Sequence, residues 1–245
     1  MGAAWRSEKC GVVSDRTMMR SDVYDQLKVR LFAGELRSGQ FVSQRELTEL
    51  LGTTLNPVRE AIRKLEAEGL INVYAQRGIQ IVEADPKSIN DAYDYRLLLE
   101  LSALRHFVAT AAREVIDTLA RSVEASLAAI EDDPNSREGR LRALDKDYEF
   151  HKDLVAFQGN EIVSKHYSLN AARLRLFRIN IGEPLERLDV AAREHLSILD
   201  ACRKGNADLA ISRLTRHIAI SREHTLGLRP MRPMGGQRRS PRSRA

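Results

Sequence analysis

The sequence predicts a mainly α protein, with an N-terminal winged helix-turn-helix followed by a C-terminal antiparallel all-α bundle of about six helices. Three observations carry that expectation. Within residues 16–85, three helical segments precede two short β-like runs. From 88 to 226 the apolar spacing is helical throughout. The apolar content of 43% includes only 5% aromatics, and an aliphatic core of this kind suits helices better than sheets rich in aromatic and β-branched residues.

The elements follow in order. Val23, Leu27, Leu31 and Ala33, widened by Tyr24 and Val29, mark one face of a first helix within 18–36. Arg37-Ser38-Gly39 breaks it. Ser43-Gln44-Arg45-Glu46 reads as a capping box, in which the Ser43 hydroxyl accepts from the Glu46 amide while the Glu46 carboxylate reaches back. That short helix stops at Gly52. Thr54 is the expected cap of a third helix reaching about Glu68. Pro57 falls in its first turn, where a missing N–H costs nothing, and Gly69 suits the position just past its end. Two strands are expected at 71–75 and 79–82, joined by Gln76-Arg77-Gly78, with Gly78 free to take a positive φ.

Asp85-Pro86 marks a boundary. The expected organisation is a disordered N-terminus over 1–16, a DNA-binding head over 17–83, a linker over 84–87, a helical domain over 88–226 and a disordered Arg-rich tail over 227–245. The bundle helices are expected at 88–112, 114–131, 137–157, 160–181, 186–204 and 206–226. They are punctuated by Asp133-Pro134-Asn135, Gly159-Asn160, Gly182-Glu183-Pro184 and Gly205-Asn206. Short loops imply antiparallel neighbours.

Bulk charge carries little of the functional argument. The formal net charge is +5, yet the six Arg between 229 and 244 exceed it, and residues 16–85 hold ten basic and ten acidic residues. The tail can add sequence-independent attraction to phosphate. No apolar run reaches the roughly 20 residues that cross a bilayer, and the N-terminus carries no secretory signature. Cys10 and Cys202 form neither a disulfide framework nor a zinc spacing. A cytoplasmic protein with no membrane partner is expected.

The N-terminal residues of a recognition helix meet base edges in the major groove. Arg45 and Arg59 are the expected contacts to guanine or phosphate, and Asn56 to adenine or phosphate. Thr53 and Thr54 are the expected contacts to the backbone, and Arg77 at the wing tip is the expected reader of the minor groove. In the helical domain, Asp147 and His151 are four apart and share a helix face, while His195 and His217 fall on the last two helices. Three imidazoles and one carboxylate pointing into a bundle suit a divalent transition metal: zinc first, with nickel, iron or manganese also compatible. No Gly-rich phosphate loop, nucleophile elbow or general base beyond these ligands is present, which leaves a metal-dependent enzyme as the minor alternative.

The head resembles the GntR family of bacterial regulators. The resemblance rests on Arg45-Glu46-Leu47, Leu51-Gly52, the run from Pro57-Val58-Arg59-Glu60-Ala61-Ile62 through Arg63-Lys64-Leu65-Glu66-Ala67-Glu68-Gly69-Leu70, and Gly78. It implies that Arg45 and Arg59 face DNA and that Gly78 makes the wing turn. One residue departs from it: many relatives carry Arg two positions before the Pro, where this chain has Leu55. The preferred operator should therefore differ from the commonest family site, or Asn56 must compensate.

The helical part resembles the FCD effector domain of the FadR-like branch. The matching pieces are Arg96 with Glu100, Asp147 with Phe150-His151, Gly159-Asn160, Glu194-His195, Gly205-Asn206 and His217. The resemblance implies metal ligands at Asp147, His151, His195 and His217 and an effector-binding Arg96, with Arg173 and Arg175 as further effector candidates. It also implies a homodimer on double-stranded DNA with a palindromic operator, controlled by a small organic acid. The alternative within the same class is a regulator whose signal is the metal itself. An acyl-CoA-binding FadR relative would lack the four ligands.

Overall fold

The computed structural model describes residues 13–132, 137–182 and 185–228. Of the disorder expected over 1–16, residues 1–12 lie outside the described residues, as does the Arg-rich tail from 229 onward, while residues 13–16 belong to the first helix. The elements are α1 (Val13–Phe32), β1 (Phe41–Val42), α2 (Gln44–Leu51), α3 (Leu55–Ala67), β2 (Ile71–Tyr74) and β3 (Gly78–Ile81). The helices α4 (Pro86–Thr110), α5 (Arg113–Asp132), α6 (Arg137–Ala156), α7 (Glu161–Ile181), α8 (Leu185–Arg203) and α9 (Ala207–Thr225) follow.

In the head, α1 lies against α3. Val23, Leu27 and Leu31 of α1 pack with Leu47 of α2, with Val58, Ala61, Ile62 and Leu65 of α3, and with Ile71, Ile79 and Ile81 of the sheet. The capping box forms as expected: Ser43 N donates to Glu46 Oε2 at 2.6 Å and Glu46 N to Ser43 Oγ at 3.1 Å. Thr54 takes the extended cap conformation without a side-chain bond. α1 runs Val13–Phe32 rather than over 18–36: no Gly or Pro interrupts 13–32, and Gly34, with φ +71°, follows its end.

The sheet has three strands, not two, in the order β1-β3-β2, all antiparallel. β1 consists of two residues, too few for any periodicity to appear in the sequence. It pairs Phe41 with Gln80 and Val42 with Ile79, so the segment before α2 is stitched to the wing. Gly78 makes that stitch possible. Its φ is +96°, and a Cβ there would lie 2.9 Å from the Val42 carbonyl oxygen. Gly78→Ala is therefore expected to destabilise the head by about 1–3 kcal/mol. Urea unfolding of the variant checks this, and an unchanged midpoint would show that the wing relaxes around the methyl group.

The expected linker shrinks because Asp85 caps α4. Its carboxylate accepts from Lys87 N at 2.9 Å and Ser88 N at 3.0 Å, with Pro86 at the first helical position. The six bundle helices fall within a few residues of their expected spans. α4 packs on α9, α7 and α6; α5 on α8 and α6; α8 on α9. The core runs through Tyr93, Leu104, Phe107, Phe150, Leu174, Phe177 and Leu214.

α7 joins the two halves. Leu174 and Phe177 face the bundle core, while Leu176 belongs to the head core. Asn180 Oδ1 accepts from Ser38 N at 2.7 Å, and Arg175 stacks over the Phe32 ring at 4.2 Å. A single helix thus touches both the head and the bundle interior. No described helix is long and apolar enough to cross a membrane.

Candidate metal centre and nucleic-acid interface

α2 and α3 present the expected DNA-facing residues outward. Arg45, Thr54, Asn56, Arg59 and Arg77 are exposed, and Thr53 is half-buried. Arg45 pairs along its own helix with Glu49 at 2.9 Å. Arg59 Nε donates to Gln44 Oε1 at 3.0 Å, which ties the start of α3 to the start of α2. Gln44 escaped the sequence reading because it stood there only as a capping-box interior residue. Leu55, at the first position of α3, is exposed rather than packed, so an apolar side chain stands where base edges would approach.

The four expected metal-ligating residues meet in the bundle. α6 supplies Asp147 and His151, α8 His195 and α9 His217, and one ligand atom from each lies within 4.8 Å of all the others. All four are buried. His217 Nε2 is 3.2 Å from both His195 Nε2 and His151 Nε2, and His195 Nε2 is 3.6 Å from Asp147 Oδ1. Phe150 stacks on His195 with ring centroids 4.0 Å apart.

The surroundings set the tautomers. His151 Nδ1 faces Glu100 Oε2 at 2.8 Å, and His217 Nδ1 faces Glu194 Oε2 at 2.8 Å. Each Nδ1–H donates to its carboxylate, which leaves the Nε2 lone pair turned inward. This is the carboxylate–histidine relay that orients imidazoles toward a metal. The carboxylates are themselves held. Glu100 Oε1 accepts from Arg96 Nε and from the Tyr167 hydroxyl, each at 2.7 Å. Glu194 accepts from Arg187 Nη1 at 3.0 Å, and Arg187 Nη2 donates to Ser221 Oγ at 2.8 Å.

Protonation follows from these contacts. Burial pushes His195 well below the usual imidazole value, with the two neighbouring imidazoles adding to it. Burial likewise lowers His217 to about 4 and, with Arg96, depresses His151. Burial opposes ionisation of Asp147, but Arg178 and then the three histidines outweigh it and hold the carboxyl well below its ordinary range. Glu100 is held at about 2, with Arg96 and His151 overcoming burial. At neutral pH the cluster is thus three neutral imidazoles and one carboxylate.

That donor set fits a divalent transition metal. Converging Nε2 lone pairs cannot satisfy one another, and Asp147 Oδ1 is buried with no hydrogen-bond partner. Separations of 3.2 Å are close to those left between ligands that each stand about 2.0–2.2 Å from one ion.

Arg96 is also in place. It is buried beside the cluster, with Nη1 and Nη2 lacking partners. Arg173 and Arg175 are not. Arg173 Nε reaches the Gly69 carbonyl at 3.4 Å and Arg175 pairs with Asp145 at 2.5 Å, both at the seam with the head. The helical period explains the difference: 174, 177 and 178 face inward, while 173 and 176 face the head. Arg178 stands instead beside the cluster, its Nη1 donating to Asp147 Oδ2. An Arg within the apolar inner face of α7 was its only sequence signal. Glu100 was legible as an i,i+4 partner of Arg96, whereas no spacing linked Glu194 to His217 across two helices.

Comparison with known proteins agrees with this architecture. The family described as "Bacterial regulatory proteins, gntR family" matches residues 19–81, and the FCD domain matches residues 91–220, more than half of the chain. The chain is 26% identical over 201 residues to the HTH-type transcriptional regulator YdhC of Bacillus subtilis (strain 168), covering 82% of this chain and 88% of that protein. It is 28% identical over 204 residues to a probable D-xylose utilization operon transcriptional repressor of Paenarthrobacter nicotinovorans, covering 83% and 87%. The solved structure of a putative GntR transcriptional regulator from Rhodococcus sp. RHA1 shares the fold with a TM-score of 0.71 at 19% identity, covering 87% of this chain and all of that one. These families and relatives are regulators rather than enzymes. With a GntR winged helix-turn-helix and an FCD domain in one polypeptide, the chain belongs to the GntR family of DNA-binding transcriptional regulators.

Proposed function

We propose that this regulator is a cytoplasmic homodimer that binds a palindromic operator and is controlled at its four-ligand cluster, with zinc held by Asp147, His151, His195 and His217. The observation that carries the reading is the convergence of three Nε2 atoms and an unpartnered carboxylate oxygen in a buried pocket. Glu100 and Glu194 orient two of the imidazoles. A bound divalent ion supplies Lewis-acid attraction for a carboxylate oxygen. Arg96, with two terminal nitrogens unpartnered, supplies the bidentate fork that an organic acid needs. Arg45, Thr53, Thr54, Asn56, Arg59 and the wing with Arg77 and Gly78 bind the DNA. The link between the two is α7, through Arg178 at the cluster and Leu176 and Asn180 at the head. An acid shifts the equilibrium only by binding one arrangement of the heads better than the other.

One observation favours a second reading, in which the metal alone is the signal. The cavity beside Asp147 and His195 has a volume of about 10 Å³, which is room for one water. An acid seated there must displace a side chain.

Selection of bound duplexes from a random pool tests both readings. An inverted repeat is expected to be enriched. Its affinity should then change by about fivefold or more when acetate, succinate or citrate is added to zinc-loaded protein, and the change should be smaller with His195→Ala. A response to zinc without any response to acids favours the second reading. Failure to enrich any sequence contradicts operator binding.

A further inference from the structure

The cluster is cramped, but a larger space lies on the far side of Arg178. This cavity has a volume of about 280 Å³ and sits at the seam between head and bundle. Ala33 and Gly34, at the end of α1, form one wall; Arg140 and Leu144 of α6, Arg178 of α7 and Leu188 of α8 form the other.

We propose that this seam cavity is an anion site, which takes a small organic acid with its carboxylate on Arg140 and Arg178 and its carbon skeleton against Leu144 and Leu188. Three features support it. First, two arginines line the cavity, and no carboxylate does among the described residues. Second, Arg140 Nε is buried without a hydrogen-bond partner, a costly state that a bound carboxylate relieves through a charge-assisted bond. Third, the volume lies just under the roughly 300–1,000 Å³ typical of pockets for drug-sized ligands, which suits a smaller molecule, whereas the space at the cluster holds only a water.

The position gives such a ligand two levers. It touches the end of α1, whose inner face is part of the head core, so occupancy acts on the head directly. It also shares Arg178 with Asp147. Arg178 Nη1 donates to Asp147 Oδ2, so an acid on Arg178 and an ion on Asp147 are coupled through one guanidinium, and the coupling is reciprocal. The regulatory consequence rests on the function proposed above; the binding itself does not.

Calorimetric titration of full-length protein stripped of metal by chelation tests the proposal, because coordination to an ion cannot contribute. The probes are acetate, succinate, citrate and inorganic phosphate. At least one is expected to bind, with a dissociation constant below about 10 mM. Arg140→Ala is expected to weaken it about tenfold or more, the loss of one charge-assisted pair, while zinc binding by that variant stays at the wild-type level. His195→Ala is expected to leave the acid affinity unchanged. The proposal is overturned if no probe binds the stripped protein, or if Arg140→Ala binds as well as wild type. Binding that requires zinc and ignores Arg140→Ala would put the acid at the metal, refuting the seam site while leaving the proposed function standing.

Discussion

Glu100→Ala is expected to cost about 3–5 kcal/mol of stability, the scale for breaking a buried ion pair from one side. Glu100 is fully buried and, among the described residues, is the only carboxylate paired with Arg96. It also receives the Tyr167 hydroxyl and His151 Nδ1. Truncation leaves a buried guanidinium with none of its three nitrogens partnered, together with an orphaned phenol and imidazole. No neighbouring carboxylate replaces it, because Asp147 is already held by Arg178. The metal site should suffer as well: loss of the group that orients His151 is expected to weaken zinc binding about 10–100-fold. Glu100→Gln keeps the shape and some hydrogen bonds but not the charge, so it should lie between wild type and Glu100→Ala. Urea unfolding with and without zinc measures both effects. A loss under about 1 kcal/mol for Glu100→Ala would mean that water or a rearranged side chain satisfies Arg96.

Arg59→Ala is expected to abolish selective DNA binding without unfolding the protein. Arg59 is exposed on α3, and its Nε donates to Gln44, itself near the surface. Its removal should change stability by no more than about 0.5 kcal/mol. A bidentate arginine–base contact contributes about 1–3 kcal/mol of discrimination, and two heads on an inverted repeat double the loss. Electrophoretic mobility of a selected duplex against a scrambled one reads the difference. Arg59→Ala should bind both alike, and retention of the wild-type preference would remove Arg59 from the reading residues. Leu55, exposed at the start of the same helix, gives a reason to expect a base preference unlike that of relatives with Arg at this position.

Much of this was legible in the sequence because local chemistry dictated it. The capping box is self-contained within four residues, and Asn160 and Asn206 each accept from an amide three residues on. The four-ligand set emerged because Asp147 and His151 share a turn and the family pattern supplied His195 and His217. What escaped was non-local. β1 exists only because β3 offers it an edge. Arg178 reaches Asp147 across two helices, and Glu194 reaches His217 across another pair. Arg173 and Arg175 were misplaced because the sequence does not say how α7 is rotated about its axis. Leu176 packing into the head fixes that rotation and turns both arginines toward the seam.

Control of this regulator at its bundle requires that Asp147, His151, His195 and His217 hold one ion. Zinc titration of chelator-stripped protein, followed by calorimetry with metal content measured after dialysis, tests it most directly. One zinc per chain is expected for wild type and none retained by His195→Ala, with both proteins folded to the same helical content. Zinc absent from wild type, or retained equally by His195→Ala, would contradict it.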